Sequence, residues 1–317
     1  MEPPTKQPTK LTGYLMTISG GVLWAAGGAC GQRLFQENAV TSNWLVPIRL
    51  FIAGLLLLAA TRFLAKAPVT SVLRNRRDLK DLILFGLFGA SAGQYTYYTC
   101  IQYSNAAFAT VISYIFPILI LLYEMLRNKR LPKLYEVTCV VLVVVGAFAC
   151  TTHWNFHSLS VSSTAAVVGL LCAAASAYNT IKPQRLIRTY NVMAITGWGM
   201  LFGSPVVFFL CRPWRISVLV NLHLFLYMTV VIVGGTVLAF SLFLKGVGIV
   251  GNLAGSILGS VEPVASVIIA VLILHVSFTW QDFTGFLLIL ITIPILALSQ
   301  RREESISMHQ PDLQQTL

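Results

Sequence analysis

Residues 257–269, ILGSVEPVASVII, place an ionisable side chain, Glu262, among aliphatic and small residues. The segment is apolar enough to lie within a lipid bilayer, where a charge at the centre of a helix costs about 2.5–3.5 kcal/mol. A glutamate kept in such surroundings marks either a transport pathway or a paired structural site.

The composition of the whole chain is that of an integral membrane protein. Of its 317 residues, 56% are hydrophobic and only 10% are charged, and the mean hydropathy is +0.76. A soluble domain carries about 25% charged residues, so the charges here are too few to cover a water-facing surface. The net charge of +11 does not indicate nucleic-acid binding, because the basic residues lie in short gaps between apolar runs and form no single stripe.

Ten apolar windows, each near the length of about 20 residues that crosses the hydrocarbon core, predict ten transmembrane helices. They lie near residues 12–32, 42–62, 80–102, 105–126, 133–152, 162–181, 192–211, 220–243, 250–274 and 279–299. With the first tail in the cytoplasm, 18 of the 22 Lys and Arg residues lie on the cytoplasmic side and 3 on the other side, while Arg49 lies within the second span. The positive-inside rule therefore predicts that both termini are cytoplasmic.

Proline landmarks recur between the two halves of the chain. The segment ISYIFPILILLYE (112–124) superposes on LGSVEPVASVIIA (258–270) at a shift of 146, which brings Pro117 onto Pro263. A proline within a helix removes a backbone N–H donor, so we expect helix kinks at both positions.

The same shift brings Glu136 of the fifth span onto Asp282 of the tenth. Each half contains five spans, an odd number, so the second half begins on the opposite side of the membrane. A repeat alone can be purely structural, but an inverted repeat of this kind is typical of secondary transporters. We therefore predict an all-α integral membrane protein of ten transmembrane helices in two inverted five-helix repeats. The predicted boundaries are a cytoplasmic tail at 1–11, repeats at 12–152 and 160–299, and a cytoplasmic tail at 300–317.

Several motifs resemble those of the EamA-like family of the drug/metabolite transporter superfamily, from Tyr14 to Leu298. They are GGVLWAAGG (20–28), PIRLFIAGLLLL (47–58), YSNAAFATVISYIFP (103–117), GWGMLFGSPVVF (197–208) and FSLFLKGVGIVGNLAGSILGSVEP (240–263). The resemblance implies ten helices, a cytoplasmic amino terminus and export of small metabolites such as amino acids by alternating access, without nucleotide hydrolysis. The sequence departs from the family at NKRLP (128–132) and LHVSF (274–278), where members often carry a glutamate.

Polar side chains at helical spacing indicate which faces of the third and fourth spans point inward. Gln94 and Tyr98 share one stripe of the third span, and a glutamine within a bilayer needs a partner or water, so this stripe should face the bundle interior. Ser113 and Tyr114 lie on a similar stripe of the fourth span. Tyr97 flanks the first stripe and is interpreted as part of an interfacial belt or as packing.

Glu262 lies about twelve residues, or roughly 18 Å of helical rise, into the ninth predicted span, near the middle of the bilayer. It is predicted to bind a substrate amine or to carry a proton as the coupling ion; the alternative is a kink residue that never touches substrate. Ser256 and Ser260 lie within two turns of it and are candidates for the cavity or for close helix packing.

Further candidates come from the first, second and sixth spans. Trp24 offers an apolar surface midway along the first span, with packing toward lipid as the alternative. Tyr178 and Asn179 bring hydrogen-bonding groups to the cytoplasmic end of the sixth span. Arg49 is interpreted as structural support, by snorkelling outward or by pairing with a carboxylate or with helix-end carbonyls.

No catalytic residue, metal or cofactor is predicted. The six cysteines form no CxxC pair and the five histidines show no ligand spacing. The leading hypothesis is a secondary transporter that binds a small-molecule substrate and exports it across a plasma membrane, with a bacterial host suggested by the compact form. Multidrug or toxic-cation efflux is the alternative, and a membrane-embedded lipid-modifying enzyme is a remote one because no paired carboxylates or histidine cluster are seen. The sequence does not indicate an oligomeric state.

Overall fold

A computed structural model describes residues 9–129, 131, 133–154, 161–250, 258–259 and 261–309. Over these residues the regular secondary structure is helical and no strand occurs. The predicted cavity residues Ser256 and Ser260 lie outside the described residues.

The helices follow one another with short connections. Their bounds are α1 (Lys10–Glu37), α2 (Ser42–Phe63), α3 (Arg76–Leu84), α4 (Ala92–Tyr103), α5 (Ala106–Ser113), α6 (Phe116–Asn128), α7 (Leu134–Thr152), α8 (Ser163–Ile181), α9 (Gln184–Thr189), α10 (Val192–Cys211), α11 (Leu222–Thr229), α12 (Ala239–Val250), α13 (Val261–Leu272) and α14 (Trp280–His309). Two π-helical segments, Phe85–Ser91 and Val230–Leu238, join α3 to α4 and α11 to α12, so each of these pairs forms one long helix.

The chain is an all-helical membrane protein. Among the described residues, five helical stretches are long and apolar enough to cross a bilayer, and they are Ser42–Phe63, Ala106–Arg127, Ser163–Thr189, Val192–Arg215 and Leu222–Val250. Shorter apolar helices lie at Leu134–Gly146, Val261–Leu272 and Trp280–Thr292. Because so much apolar surface faces outward along these helices, the surroundings that suit the fold are lipid.

Side-chain caps fix where several of these helices begin. The Asn105 side chain accepts a hydrogen bond from the Phe108 backbone N–H at 2.9 Å, which starts α5 only two residues after α4 ends. Asn221 caps α11 in the same way, because its side chain accepts a hydrogen bond from the Leu224 backbone N–H at 2.8 Å. Such caps satisfy backbone donors that have no partner within the helix.

The two predicted kink prolines both lie within the first three residues of their helices, as the second residue of α6 and the third of α13. Helix α5 ends at Ser113 and α6 begins at Phe116, so the helical run is interrupted just before Pro117. Pro263 is the third residue of α13, and residues 251–257 and 260 before it lie outside the described part of the chain.

Helices from the two halves of the chain pack against each other through small residues. Helix α1 contacts α12 and α13, α2 contacts α10, α4 contacts α8, α5 contacts α13, and α7 contacts α14. Between α2 and α10, a Cβ on Gly54 would lie 3.0 Å from the Gly197 carbonyl oxygen. Such close backbone approach is how membrane helices gain van der Waals contact.

Polar contacts differ at the two ends of the bundle. At the end where α3 begins, which we call the Asp78 end, Arg185 donates to Asp78 and Asp81, and Lys182 Nζ donates to Asp81 at 2.8 Å. Tyr190 donates to Asp78 at 2.8 Å. These contacts tie the start of α3 to the connection between α8 and α10.

The opposite end, which we call the Asn38 end, is tied together by amide side chains. Asn38 Nδ2 donates to the Leu219 carbonyl at 3.0 Å and to Asn221 Oδ1 at 2.9 Å. Gln32 Oε1 accepts from the Ala106 backbone N–H at 2.8 Å. Helix α1 is thereby linked to the starts of both α11 and α5.

Candidate functional site

A cavity of about 750 Å³ lies between helices from both halves of the chain. It reaches from the middle of the bundle, at Arg49 and Tyr98, to Asn179 and Thr180, which lie two or three residues before Lys182 at the Asp78 end. Seven of the predicted cavity residues line it, and these are Trp24, Gln94, Tyr98, Ser113, Tyr114, Asn179 and Glu262.

Glu262 faces this cavity from α13. The Tyr114 hydroxyl, in the break between α5 and α6, lies 3.1 Å from Glu262 Oε2 and 3.1 Å from the Gly259 carbonyl oxygen. One phenolic proton therefore serves two acceptors. A Cβ on Gly21 of α1 would lie 3.4 Å from the Glu262 backbone nitrogen and 3.8 Å from the Glu262 Cβ, so α1 approaches α13 here at contact distance.

Arg49 turns inward, although the sequence left open both outward snorkelling and pairing within the protein. Its side chain is 6% exposed and lines the cavity, so it does not snorkel toward the membrane surface. It donates to Gln94 Oε1 and, at 3.0 Å, to Thr236 Oγ1, and its guanidinium lies 4.7 Å from the ring centroid of Tyr98. Among the described residues, its hydrogen-bond partners are an amide and a hydroxyl oxygen, and they include neither a carboxylate nor a helix-end carbonyl.

The rest of the cavity wall is aromatic. Trp24 packs against Phe240 and Phe243, with ring centroids 5.1 and 4.8 Å apart. Tyr97 also lines the cavity, and its hydroxyl lies 2.7 Å from Thr110 Oγ1. Of the two interpretations given to Tyr97, packing fits this position, because a belt residue would face the membrane surface.

Two other predicted residues have simpler surroundings. Tyr178 is not among the residues that line the cavity, and its ring packs against Phe88 with centroids 6.3 Å apart. Ser113 lines the cavity while its hydroxyl donates to the Thr110 carbonyl at 2.7 Å.

The charges of the cavity wall lie on different helices. Arg49 on α2 and Glu262 on α13 form no ion pair with each other, and none of the ion pairs among the described residues includes either of them. Within the described part of the chain, no three His, Cys, Asp or Glu side chains gather as a metal site would need. The cavity thus offers one cationic group, one acidic group, hydroxyls and aromatic faces to a small polar molecule.

A helical membrane protein with a cavity between its helices, whose wall carries both polar and aromatic side chains, has the organisation of a membrane transporter. The sequence model of the EamA-like transporter family matches residues 11–152 and 163–298. The chain belongs to this family.

A named relative agrees with that family, and a solved structure shows the fold. The chain is 36% identical over 292 residues to the "Uncharacterized inner membrane transporter YicL" of Salmonella typhimurium. The matched segment covers 92% of this chain and 96% of the relative. A solved crystal structure of another protein is similar over 93% of this chain and 100% of its own, with a TM-score of 0.61 and 18% sequence identity, which shows a shared fold. The family match and the name of the Salmonella relative point to a transporter rather than to an enzyme.

Proposed function

We propose that the protein is a secondary transporter that exports small metabolites such as amino acids across a bacterial plasma membrane by alternating access. The observation that carries this proposal is the cavity between the two halves of the chain, with Glu262 and Arg49 in its wall. Ligand sites in secondary transporters lie near mid-membrane at the interface of structural repeats. The name of the Salmonella relative supports the inner membrane as the location.

We further propose that ten spans form two inverted repeats, at 12–152 and 160–299. The pairing of Glu136 with Asp282 at a shift of 146 supports this arrangement, because both side chains do the same task. Glu136 Oε2 accepts from the Lys133 backbone N–H at 2.8 Å at the start of α7, and Asp282 Oδ2 accepts from the Thr279 backbone N–H at 3.0 Å at the start of α14. The family model also matches the chain in two successive segments.

The helix contacts support the same symmetry. If the halves are exchanged, α1 takes the place of α8 and α12 takes the place of α4, so the contact of α1 with α12 becomes that of α4 with α8. The contacts α2–α10, α5–α13 and α7–α14 are unchanged by the exchange. The two π-helical segments, which begin at Phe85 and Val230, also occupy corresponding spans.

The orientation we propose puts the Asp78 end in the cytoplasm, together with both tails, at 1–11 and 300–317. The distribution of Lys and Arg supports it through the positive-inside rule. With this orientation the cavity opens to the cytoplasm, while the contacts of Asn38 and Gln32 close the other side. This is the state in which an exporter would load its substrate.

In this proposal Glu262 receives the ammonium group of a substrate or carries the coupling proton. Tyr114 would hold the carboxylate in position, while Trp24 and the neighbouring rings would cover the apolar part of the substrate. A glutamate with a single hydroxyl partner can exchange that partner for a ligand at small cost, since a net hydrogen bond is worth about 0.5–1.5 kcal/mol.

Counterflow of the protein amino acids, measured in proteoliposomes with and without a pH gradient, tests the function. We expect uptake that saturates with substrate, and uptake at the level of empty vesicles for every amino acid would refute the assignment. Glu262→Gln is expected to alter the pH dependence or the affinity for amines. Glu37→Gln is the matched control, because Glu37 lies outside the central cavity and pairs with Arg33 on the same helix.

Multidrug or cation efflux is the second candidate function, and the aromatic wall formed by Trp24, Phe240 and Phe243 favours it. Cations bind well over aromatic faces. Counterflow of a lipophilic cation such as tetraphenylphosphonium, in place of amino acids, would support this alternative.

A further inference from the structure

Arg49 has hydrogen-bonding capacity that the protein does not use. A guanidinium has five N–H donors, and Arg49 spends two of them on Gln94 and Thr236. Its Nε is buried and has no hydrogen-bond partner in the part of the chain that the structure describes, although the side chain is 6% exposed and lines the cavity. A buried donor that lacks a partner is rare in proteins and calls for a specific cause.

The partners that Arg49 does have leave its charge uncompensated. An amide oxygen, a hydroxyl oxygen and the ring of Tyr98 surround it, and each is neutral. A planar guanidinium matches a carboxylate group, which can accept two parallel hydrogen bonds and supplies the missing charge. The cavity is the open side from which such a group could reach Arg49.

Tyr98 and Tyr97 lie between Arg49 and the acidic side chain of the cavity, Glu262. The Tyr98 ring lies beneath Arg49, and its centroid is 5.3 Å from that of Tyr97, whose hydroxyl bonds to Thr110. Glu262 lies on α13, a helix that packs against the α5 segment holding Thr110. A cationic and an acidic side chain in the wall of one cavity suit a ligand that carries both an anionic and a cationic group.

From this geometry, and resting on the proposed function, we propose that Arg49 binds the carboxylate of the transported molecule, so that the substrates are zwitterions such as α-amino acids. The ammonium group of the substrate then faces Glu262, and its side chain lies against the aromatic wall. Arg49 exchanges Gln94 or Thr236 for the substrate carboxylate on loading and returns to them on release. A ligand that carries only positive charge is disfavoured beside Arg49 by like-charge repulsion.

The experiment compares L-phenylalanine with ligands that lack either its carboxylate or its ammonium group. The full chain is reconstituted in proteoliposomes, and counterflow of L-phenylalanine and L-leucine is inhibited with L-phenylalaninamide, which keeps the ammonium and the ring, and with 3-phenylpropionate, which keeps the carboxylate and the ring. In the wild type, the amide should require about 10- to 100-fold more ligand than L-phenylalanine for half-inhibition, since a hydrogen bond to a charged group is lost.

Arg49→Gln should remove this preference, so that L-phenylalanine and its amide inhibit at similar concentrations. Arg49→Lys keeps the charge but loses the planar fork and should keep part of the preference. Arg33→Gln is the matched control, because Arg33 lies outside the central cavity and bonds to Glu37 and to the Ile273 carbonyl. It should retain the wild-type ratio.

The possible results separate this inference from the proposed function. If the wild type transports the amino acids but L-phenylalanine and its amide inhibit equally, the role of Arg49 is overturned and amino-acid export is left intact. This comparison uses the wild type alone, so it does not depend on the folding of any variant. A normal preference in a folded Arg49→Gln protein would overturn it as well. Transport of no amino acid would contradict the proposed function and, with it, this inference.

Discussion

Replacing Gly86 with alanine tests how closely the helices behind the cavity wall approach. Gly86 lies in the π-helical segment Phe85–Ser91 and faces α10. A Cβ at this position would lie 2.5 Å from the Gly199 carbonyl oxygen and 3.2 Å from Gly199 Cα. Both neighbours are backbone atoms, so neither can rotate away, and the two helices have to separate.

The expected cost follows from two opposing effects. Overpacking of a tightly packed contact costs about 1–3 kcal/mol. Alanine has a better helix propensity than glycine, by roughly 1 kcal/mol, and this offsets part of the cost. We expect Gly86→Ala to lower the free energy of unfolding by up to about 2 kcal/mol relative to the wild type, and by about 1–3 kcal/mol relative to a Gly-to-Ala variant at an open helical position, which shares the propensity gain.

The assay is reversible unfolding in mixed detergent and SDS micelles, followed by tryptophan fluorescence and far-ultraviolet circular dichroism. Gly248→Ala is the control, because a Cβ on Gly248 of α12 would meet nothing within 4 Å. That variant should be as stable as the wild type or slightly more stable. Equal stability of Gly86→Ala and Gly248→Ala would refute the close approach of the π-helical segment to α10.

Two further predictions concern the aromatic wall and the Asp78 end. Trp24→Ala removes the ring contacts with Phe240 and Phe243, each worth about 0.5–1.5 kcal/mol, and should lower stability and amino-acid counterflow, whereas Trp24→Phe should retain most of both. The hydrogen bond to Asp78 raises the pKa of Tyr190, so the stability that this bond provides is full below the usual tyrosine pKa of about 10 and is lost as the pH rises through the raised value. Tyr190→Phe should therefore be less stable than the wild type at neutral pH and should converge with it in alkaline unfolding titrations; parallel curves would contradict the role of the bond.

The inward positions of Gln94, Tyr98 and Glu262 could be predicted because a bilayer leaves polar groups few places to go. The spacing of Gln94 and Tyr98 along the third span identified one face of that helix, and both side chains line the cavity. For Arg49, the need of a polar group for a partner or water does not decide the direction of the side chain, since a side chain of this length can reach either the membrane surface or the interior of the bundle. Only the position of α2 against the helices that hold Gln94 and Thr236 decides between them.

The apolar part of the cavity could not be predicted for a different reason. Phe240 and Phe243 carry no polar atom, and an aromatic residue in a membrane helix can face lipid or protein equally well. The π-helical segment Val230–Leu238 just before them also changes the helical register, so a regular period of 3.6 residues does not give the face of the helix on which they lie. Their proximity to Trp24 comes from the packing of α1 on α12.

Arg49 and Glu262 are both costly to bury in the cavity wall. We infer that both are kept there for the same reason. An aspartate or glutamate in place of Gln94 would give Arg49 a permanent counter-charge, as Asp81 does for Lys182 at the Asp78 end. Arg49 has instead an amide, and Glu262 has the hydroxyl of Tyr114. Neutral partners stabilise a buried charge less than an ionic partner does, but a ligand can displace them more easily. A transporter needs this exchange of partners. If Arg49 and Glu262 were already paired with charged residues of the protein, those residues would occupy the positions that the charged groups of a substrate take.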